Sequence, residues 1–371
     1  MSIEASTNAA SYKEHDQNMV IETKIDKPDI KFYDIRRAPF DVYGLYEYRT
    51  EPNFHRLPTD VANATSAGVV GYQNECTGGR IRFSTDSPYV AISVEYERMG
   101  RNSHTPFMAT AGFDLYEDLP NGIGESRYIK SFLPPYDSTN RYESYTDVGE
   151  KRLRYFTINM PIHSVVKNVY VGIADGSSLG SGAKYRNELP VIIYGSSIVH
   201  GTGPSRAGLM YSNLLARRLN LNITNIGFSG AAKGEDAIVD YMCSLPMSLF
   251  ICDYDHNAPT VEHLRNTHLK MYKKFREKNP DIPYIIISRP DVPGKYDECC
   301  LRRDVIADTF RYARAAGDKC IYYIDGETFF SGKAENDCTI DTTHPNDHGN
   351  YLMADSIEWV IRRIINEGKM R

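Results

Sequence analysis

The sequence predicts an N-terminal all-β sandwich followed by a C-terminal three-layer α/β domain built on a five-stranded parallel sheet. Three observations carry this expectation. Between about Ile30 and Asp175 apolar residues recur with period two. A Gly/Ser-rich stretch, DGSSLGSGAKYRNELP, then begins at Asp175. Beyond it, short apolar runs alternate with segments of helical period.

Residues 1–28 are polar and of mixed charge, and are expected to form a flexible tail. In YVAISVEYE, Val90, Ile92, Val94 and Tyr96 alternate with Ala91, Ser93, Glu95 and Glu97. One set should face a core and the other solvent. Val169, Val171 and Ile173 repeat the pattern, and FDVYGLYEY, GGRIRFS, AGFDLYED and RLRYFTINM are further strand candidates. Turn residues separate these runs: Asp86-Ser87-Pro88, Asn121-Gly122 and Pro134-Pro135. No helix-period segment is expected among them. The Gly/Ser stretch reads as a linker, dividing the chain into a tail (1–28), a sandwich (29–185) and an α/β domain (186–371).

In the second half, Val191–Tyr194, Ile223–Ile226, Leu249–Cys252, Tyr284–Ile287 and Ile321–Ile324 read as buried strands. Tyr211–Leu219, Glu235–Cys243, Val261–Lys278 and Arg302–Ala316 read as helices between them. A last helix after Pro345 contains Glu358–Ile365, and its Trp359 is expected in the core. In such sheets, sites gather at the carboxyl ends of the strands.

Composition narrows the function. The 371 residues are 41% hydrophobic and 25% charged, as in ordinary globular proteins. A net charge of −5 argues against a nucleic-acid partner. No run of roughly 18 apolar residues suggests a membrane partner. No signal peptide is visible, and the seven cysteines lack regular spacing, so reduced thiols and a cytoplasmic location are expected.

The first α/β strand ends in VIIYGSSIVHG. A phosphate loop would need a lysine where Thr202 stands, and Val199 occupies the last glycine of a G-x-S-x-G elbow. A nucleophilic Ser197 still makes sense if a base, an orienting acid and oxyanion donors follow other strands. They do. Asp341 and His344 stand in DTTHPNDHG, spaced so that the carboxylate can fix the imidazole tautomer. Gly230 in NIGFSGAAKGE offers a backbone N–H, and Asn257 in DYDHNAP offers an amide. Each also has a plain structural reading: a turn at the serines, a positive φ at Gly230, a helix cap at Asn257. Asp253, Asp255 and His256 either line a polar strand end or bind an ion; without a second ligand pair no metal is expected. Asp347 and His348 read as helix-start residues. Arg206, in SRAG, either binds substrate or pins the loop after the nucleophile.

These blocks resemble the GDSL/SGNH hydrolase superfamily. GSSI at Gly195–Ile198 is similar to its G-D-S-[LI] block, with Ser196 in place of the usual aspartate. NIGFSG, the DYDHN segment and D-x-x-H-P at Asp341–Pro345 follow in the family's order, although DYDHN departs from the usual G-x-N-D. HRLPTDV and GGRIRFSTDS resemble the β-sandwich preceding the hydrolase domain in a carbohydrate-esterase-like subgroup. The resemblance implies a jelly-roll-like sandwich and a flavodoxin-like α/β domain. It implies a cofactor-free serine esterase that removes a small acyl group, acetyl above all, from a sugar or oligosaccharide through an acyl-enzyme. Ser197 would be the nucleophile, His344 the base and Asp341 its orienter. The N–H groups of Ser197 and Gly230, with the Asn257 amide, would form the oxyanion hole. Two alternatives remain: an acyltransferase using the same triad, and a catalytically inert glycan-binding protein. The oligomeric state is not readable.

Overall fold

The computed structural model describes residues 25–119, 126–332 and 335–370. Most of the expected N-terminal tail and the Asn121-Gly122 turn lie outside the described residues.

The N-terminal half forms two antiparallel sheets. Its strands are β1 (Ile30–Asp34), β2 (Asp41–Tyr43), β3 (Arg80–Thr85), β4 (Tyr89–Arg98), β5 (Phe113–Asp118), β6 (Arg127–Phe132), β7 (Arg141–Asp147), β8 (Arg154–Asn159), β9 (Val165–Ala174) and β10 (Leu179–Ser181). One sheet runs β1-β9-β4-β7; the other runs β10-β3-β8-β5-β6, with β2 also paired to β3. The alternating residues of β4 and β9 meet Ile81, Phe83, Phe113, Leu115, Phe156 and Ile158 in one core. Ala91, expected to face solvent, is fully buried. It lies opposite Gly172 of β9, where an added Cβ would collide with Ile30 and Phe32 of β1 and press on Ala91 itself.

Three expectations need correction. Helices Thr59–Thr65, Ala67–Tyr72 and Phe107–Ala111 interrupt the strands. The first two are too short to show a helical period. Their Ala62 and Val69, with Leu57, join the core of the α/β half instead of the sandwich core. The stretch after Asp175 is not a free linker. Its residues Leu179–Ser181 pair with β3, and Tyr185 lies under the Arg82 guanidinium at 4.1 Å. Gly180 and Gly182 serve close approach: a Cβ at Gly182 would sit 2.4 Å from Arg82. Trp359 is 77% exposed. The buried stripe of its helix, Asp347–Asn366, runs through Met353, Ile357, Ile361 and Ile364. At 3.6 residues per turn Trp359 points about 200° away from Ile357.

The α/β half contains β11 (Val191–Gly195), β12 (Ile223–Gly227), β13 (Leu249–Asp253), β14 (Tyr284–Ile287) and β15 (Ile321–Ile324). All pairs are parallel, in the order β12-β11-β13-β14-β15. This is the flavodoxin-like order, and its crevice lies where the direction of winding reverses, beside β11. Helices Tyr211–Leu219, Asp236–Ser244, Val261–Lys278, Tyr296–Ala315 and Asp347–Asn366 cover the sheet.

Arginines from the sandwich half cover the β12 edge. Edge strands leave alternate carbonyls unpaired. Here Arg80 Nη2 donates to Ile223 O at 2.7 Å, and Arg56 Nη1 donates to Gly227 O at 2.7 Å and Asn225 O at 3.3 Å. Arg56 is buried and packs over Phe228. This clamp fixes the carboxyl end of β12, from which the glycine turn departs.

Candidate active site

At the end of β11, the Ser196 N–H donates to Asp253 O of β13 at 3.1 Å. The Ser196 hydroxyl then accepts the Ile198 N–H, capping the short helix Ser197–His200. A side chain at Gly195 would collide with Asp253 O at 2.2 Å, so the turn needs glycine there. Ser196 is fully buried by this role, while Ser197 remains partly exposed.

Ser197 Oγ lies 2.8 Å from His344 Nε2. His344 Nδ1 lies 2.7 Å from Asp341 Oδ2. Asp341 Oδ1 accepts the backbone N–H groups of His344 at 2.8 Å and Thr343 at 3.1 Å. The intervening Thr342 has φ of +67°, so the tight turn holds a left-handed residue that is not glycine. Burial alone would raise the Asp341 pKa, but the bonds from His344 and Thr343 outweigh it and hold the carboxyl below its ordinary value. An ionised Asp341 holds the proton on Nδ1 and leaves the Nε2 lone pair facing Ser197.

A cleft of roughly 650 Å³ opens over Ser197 and is also lined by Gly230, Asn257 and His344. Gly230 has φ of +67° and is exposed. The Asn257 amide donates to Phe228 O at 2.7 Å, tying β13's loop to the glycine turn. The sequence-predicted Ser197, Asp341, His344, Gly230 and Asn257 therefore converge. The opposite wall comes from the sandwich half: Tyr72, Glu75, Arg98, Arg101, His104 and His163. His104 Nε2 reaches within 3.6 Å of Asp341 Oδ2. No sequence spacing announces these residues.

Arg206 does not line the cleft. It donates to the Tyr116 hydroxyl, stacks on Tyr128 at 4.0 Å and approaches Asp114 at 3.7 Å. The substrate-binding expectation is corrected: Arg206 pins its loop to β5. Asp114 adds a bond from the Gly208 N–H at 2.6 Å, and Asp347 accepts both the Ser205 N–H and hydroxyl at 2.7 Å.

Asp253, Asp255 and His256 each have other surroundings. Asp253 accepts the Tyr211 hydroxyl at 2.7 Å, and burial pushes its pKa up to about 7. Asp255 pairs with Arg302 at 3.1 Å and accepts the Arg289 N–H. Burial, helped by Arg289, His344 and Arg302, keeps His256 neutral. The described residues do bring Glu75, His163 and His200 together with donor atoms within 4.8 Å. Their hydrogen bonds do not fit an ion. The Ser229 N–H donates to His200 Nδ1 at 3.2 Å, so Nε2 of the neutral ring carries the proton and faces Glu75 at 3.0 Å. A cation would need that nitrogen's lone pair.

The fold and the Ser–His–Asp chain define a serine-hydrolase class of site. Comparisons with known proteins agree. Residues 188–362 match the GDSL-like lipase/acylhydrolase family, and residues 30–179 match the GxDLY N-terminus of SGNH-hydrolase-type esterases, whose motif stands here as Gly112–Tyr116. The chain belongs to this family and, with it, to the carboxylic ester hydrolases. A Bacteroides ovatus ATCC 8483 protein assigned as a GDSL-like lipase superposes with a TM-score of 0.81 at 22% identity, covering 91% of this chain and 98% of that one. The salicylyl-acyltransferase SsfX3 of a tetracycline biosynthetic pathway gives 0.73 at 18%, covering 93% and 99%. A family two carbohydrate esterase from Cellvibrio japonicus gives 0.58 at 12%, covering 91% and 98%. At these identities the likeness is one of fold. No curated protein matches the chain. Among the described residues, no helix is long and apolar enough to cross a membrane.

Proposed function

We propose that the protein hydrolyses small acyl esters, acetyl above all, of a sugar or oligosaccharide through an acyl-enzyme on Ser197. The observation that carries this reading is the Ser197–His344–Asp341 chain, with contacts of 2.8 Å and 2.7 Å, at the floor of an open cleft. His344 Nε2 takes the hydroxyl proton as Ser197 Oγ attacks the acyl carbon. The carbonyl oxygen becomes an oxyanion, facing the N–H groups of Ser197 and Gly230 and the Asn257 amide. Collapse breaks the bond to the leaving alcohol, which receives the proton from His344. Water then attacks the acyl-enzyme by the same route, releasing acid and free Ser197. Residues 29–185 act in this reading as a sandwich that walls the site of the hydrolase part, 186–371.

The cleft lining supports a short acyl group and a polar alcohol. Among the described residues no aliphatic side chain lines it, whereas Glu75, Arg98, Arg101, Asn102 and His104 do. A long acyl chain would find no aliphatic side chain there to pack against. Structural neighbours described as carbohydrate esterases support a sugar as the alcohol.

Nitrophenyl esters of increasing chain length, followed by acetylated sugars, test this reading by acid release. The expected maximum is at acetyl or propionyl. A maximum at octanoyl overturns the substrate class. Added alcohols that capture the acyl group in preference to water would make the enzyme an acyltransferase.

A further inference from the structure

Ser229, His200 and Glu75 repeat the connectivity of a triad inside the same cleft. Ser229 Oγ lies 2.9 Å from His200 Nδ1, and His200 Nε2 lies 3.0 Å from Glu75 Oε2. The carboxylate has further partners. Glu75 Oε2 is 3.0 Å from His163 Nδ1, and Oε1 accepts from Arg98 at 2.6 Å. His163 Nε2 is in turn 3.3 Å from Thr202 Oγ1. One buried carboxylate thus joins the sandwich half, the helix that begins at Ser197 and the turn that carries Gly230.

Two facts decide against Ser229 as a second nucleophile. A serine nucleophile uses its own N–H as an oxyanion donor, but the Ser229 N–H is committed to His200 Nδ1 at 3.2 Å. His200 is also fully buried, so its ring cannot follow a leaving group. The network holds a peptide in place.

That peptide precedes Gly230. Nothing lies within 4 Å of the position a Gly230 Cβ would take, so packing on that side does not hold the turn. Anchors on the preceding residues do. Arg56 holds Gly227 O, Asn257 holds Phe228 O and His200 holds Ser229 N. Burial, against the opposing pull of Glu75, drives the His200 pKa down to about 3, so the ring stays neutral. Burial would raise the Glu75 pKa, but bonds from His163 and His200 outweigh it and keep the carboxylate ionised.

We propose that Glu75 is a positioning residue for the oxyanion hole. Its Oε2, 3.0 Å from His200 Nε2, favours the proton on that nitrogen by charge, which leaves Nδ1 free to hold the Ser229 N–H and aims the next amide, Gly230 N–H, at the tetrahedral oxygen. This rests on the Ser197 esterase reading and deepens it: the sandwich half supplies a part of the catalytic apparatus as well as a wall.

The test compares Glu75→Gln, His200→Gln, His200→Leu and Ser229→Ala in the full chain. Glu75→Gln removes the negative charge and turns its amide donor toward either both imidazoles or the Arg98 guanidinium, since Oε2 faces the former and Oε1 the latter. Its kcat on nitrophenyl acetate is expected to fall about tenfold or more with KM changed less than about twofold, as for a group acting only in the transition state. Affinity for a trifluoromethyl ketone, whose adduct carries the oxyanion, should fall by the same factor. His200→Gln keeps an acceptor for Ser229 and a donor for Glu75, and should retain more activity than His200→Leu. Ser229→Ala keeps the backbone N–H and should lose less than Glu75→Gln. Amide hydrogen exchange across residues 228–231 should speed up in Glu75→Gln and in His200→Leu, an effect independent of turnover. If Glu75→Gln fails to fold, His200→Leu carries the same expectation. Wild-type kcat in a folded Glu75→Gln, unchanged exchange in His200→Leu, or phosphonate labelling of Ser229 in Ser197→Ala would each overturn the proposal. A wild-type protein that turns over no ester refutes the esterase reading instead, and the exchange measurement still tests the positioning.

Discussion

Two serine–histidine–carboxylate chains open onto one cleft, and they differ in what is left free. In Ser197–His344–Asp341 the acid spends its second oxygen on N–H groups of its own turn, and the His344 side chain keeps 21% of its surface in solvent. In Ser229–His200–Glu75 the histidine is fully buried, the acid binds a second imidazole and an arginine, and the serine's own N–H is spent. Both satisfy the same distances. Distance alone therefore does not make a nucleophile; an accessible base and an uncommitted backbone donor do.

Removing each serine is the harshest way to break this comparison. Ser197→Ala should cost at least roughly 10⁴ in kcat/KM, leaving a folded protein. Ser196→Ala should cost far less activity and about 1 kcal/mol of stability, the worth of a helix cap. An inactive Ser196→Ala beside an active Ser197→Ala would shift the motif by one residue. Next, Asp341→Asn should lower kcat about 10⁴-fold by releasing the imidazole tautomer; steady-state kinetics with normal activity would mean that Asp341 only shapes the turn. Asn257→Ala should lower kcat by roughly 10²–10³ with little change in KM, as for one oxyanion donor. A normal kcat would confine Asn257 to its bond with Phe228.

Smaller effects sharpen the contrast between holding and reacting. Arg206→Ala should lower the melting temperature, by about 1–2 kcal/mol of stability, with KM unchanged, since it loses hydrogen bonds rather than a substrate contact. A raised KM at unchanged stability would return Arg206 to the site. An effect that shows only on acidification concerns His268, buried like His200 but bonded to Thr309 at 2.8 Å rather than facing a carboxylate. Burial pushes its pKa down to about 4. As pH falls from about 6.5 toward 4, the unfolded chain takes up a proton that the folded one refuses, so wild-type stability drops by ~1.4 kcal/mol per pH unit from this group. His268→Gln removes that contribution, and its stability relative to wild type should improve as pH is lowered. Parallel urea midpoints at pH 7 and pH 5 would count against it.

The parallel strands were legible because fully buried strands are short apolar runs bounded by turn residues, and Val191–Gly195 and Leu249–Asp253 lie within a residue of their expected limits. Ser197 was legible because it directly follows a sheet strand, and Asp341 and His344 because they share one compact motif, although the helix Glu327–Phe330 separates that motif from β15. Glu75, His163 and His104 were not. Glu75 and His163 are 88 residues apart, and only the docking of the sandwich onto the α/β half brings them beside Ser197. The helices at Thr59–Thr65 and Ala67–Tyr72 escaped notice for a related reason: their apolar residues answer to a core built by the other half of the chain. Arg206 sat between two readings until Asp114 and Tyr116, far away in sequence, showed which partner it has.

The arginine cover on β12 also bears on the order of events during synthesis. The last sandwich strand ends at Ser181 and β12 begins at Ile223. At about 5–20 residues per second, the ribosome releases the complete sandwich about 2–8 s before the edge strand appears. All-β domains fold within milliseconds to seconds. Arg80, on β3 of the sandwich, is thus in place when the carbonyl of Ile223 emerges, and the newborn edge is met there by its own chain before a neighbouring one can pair with it. A circular permutant that is translated α/β half first would reverse this timetable and leave the edge open to association while the sandwich is still being made.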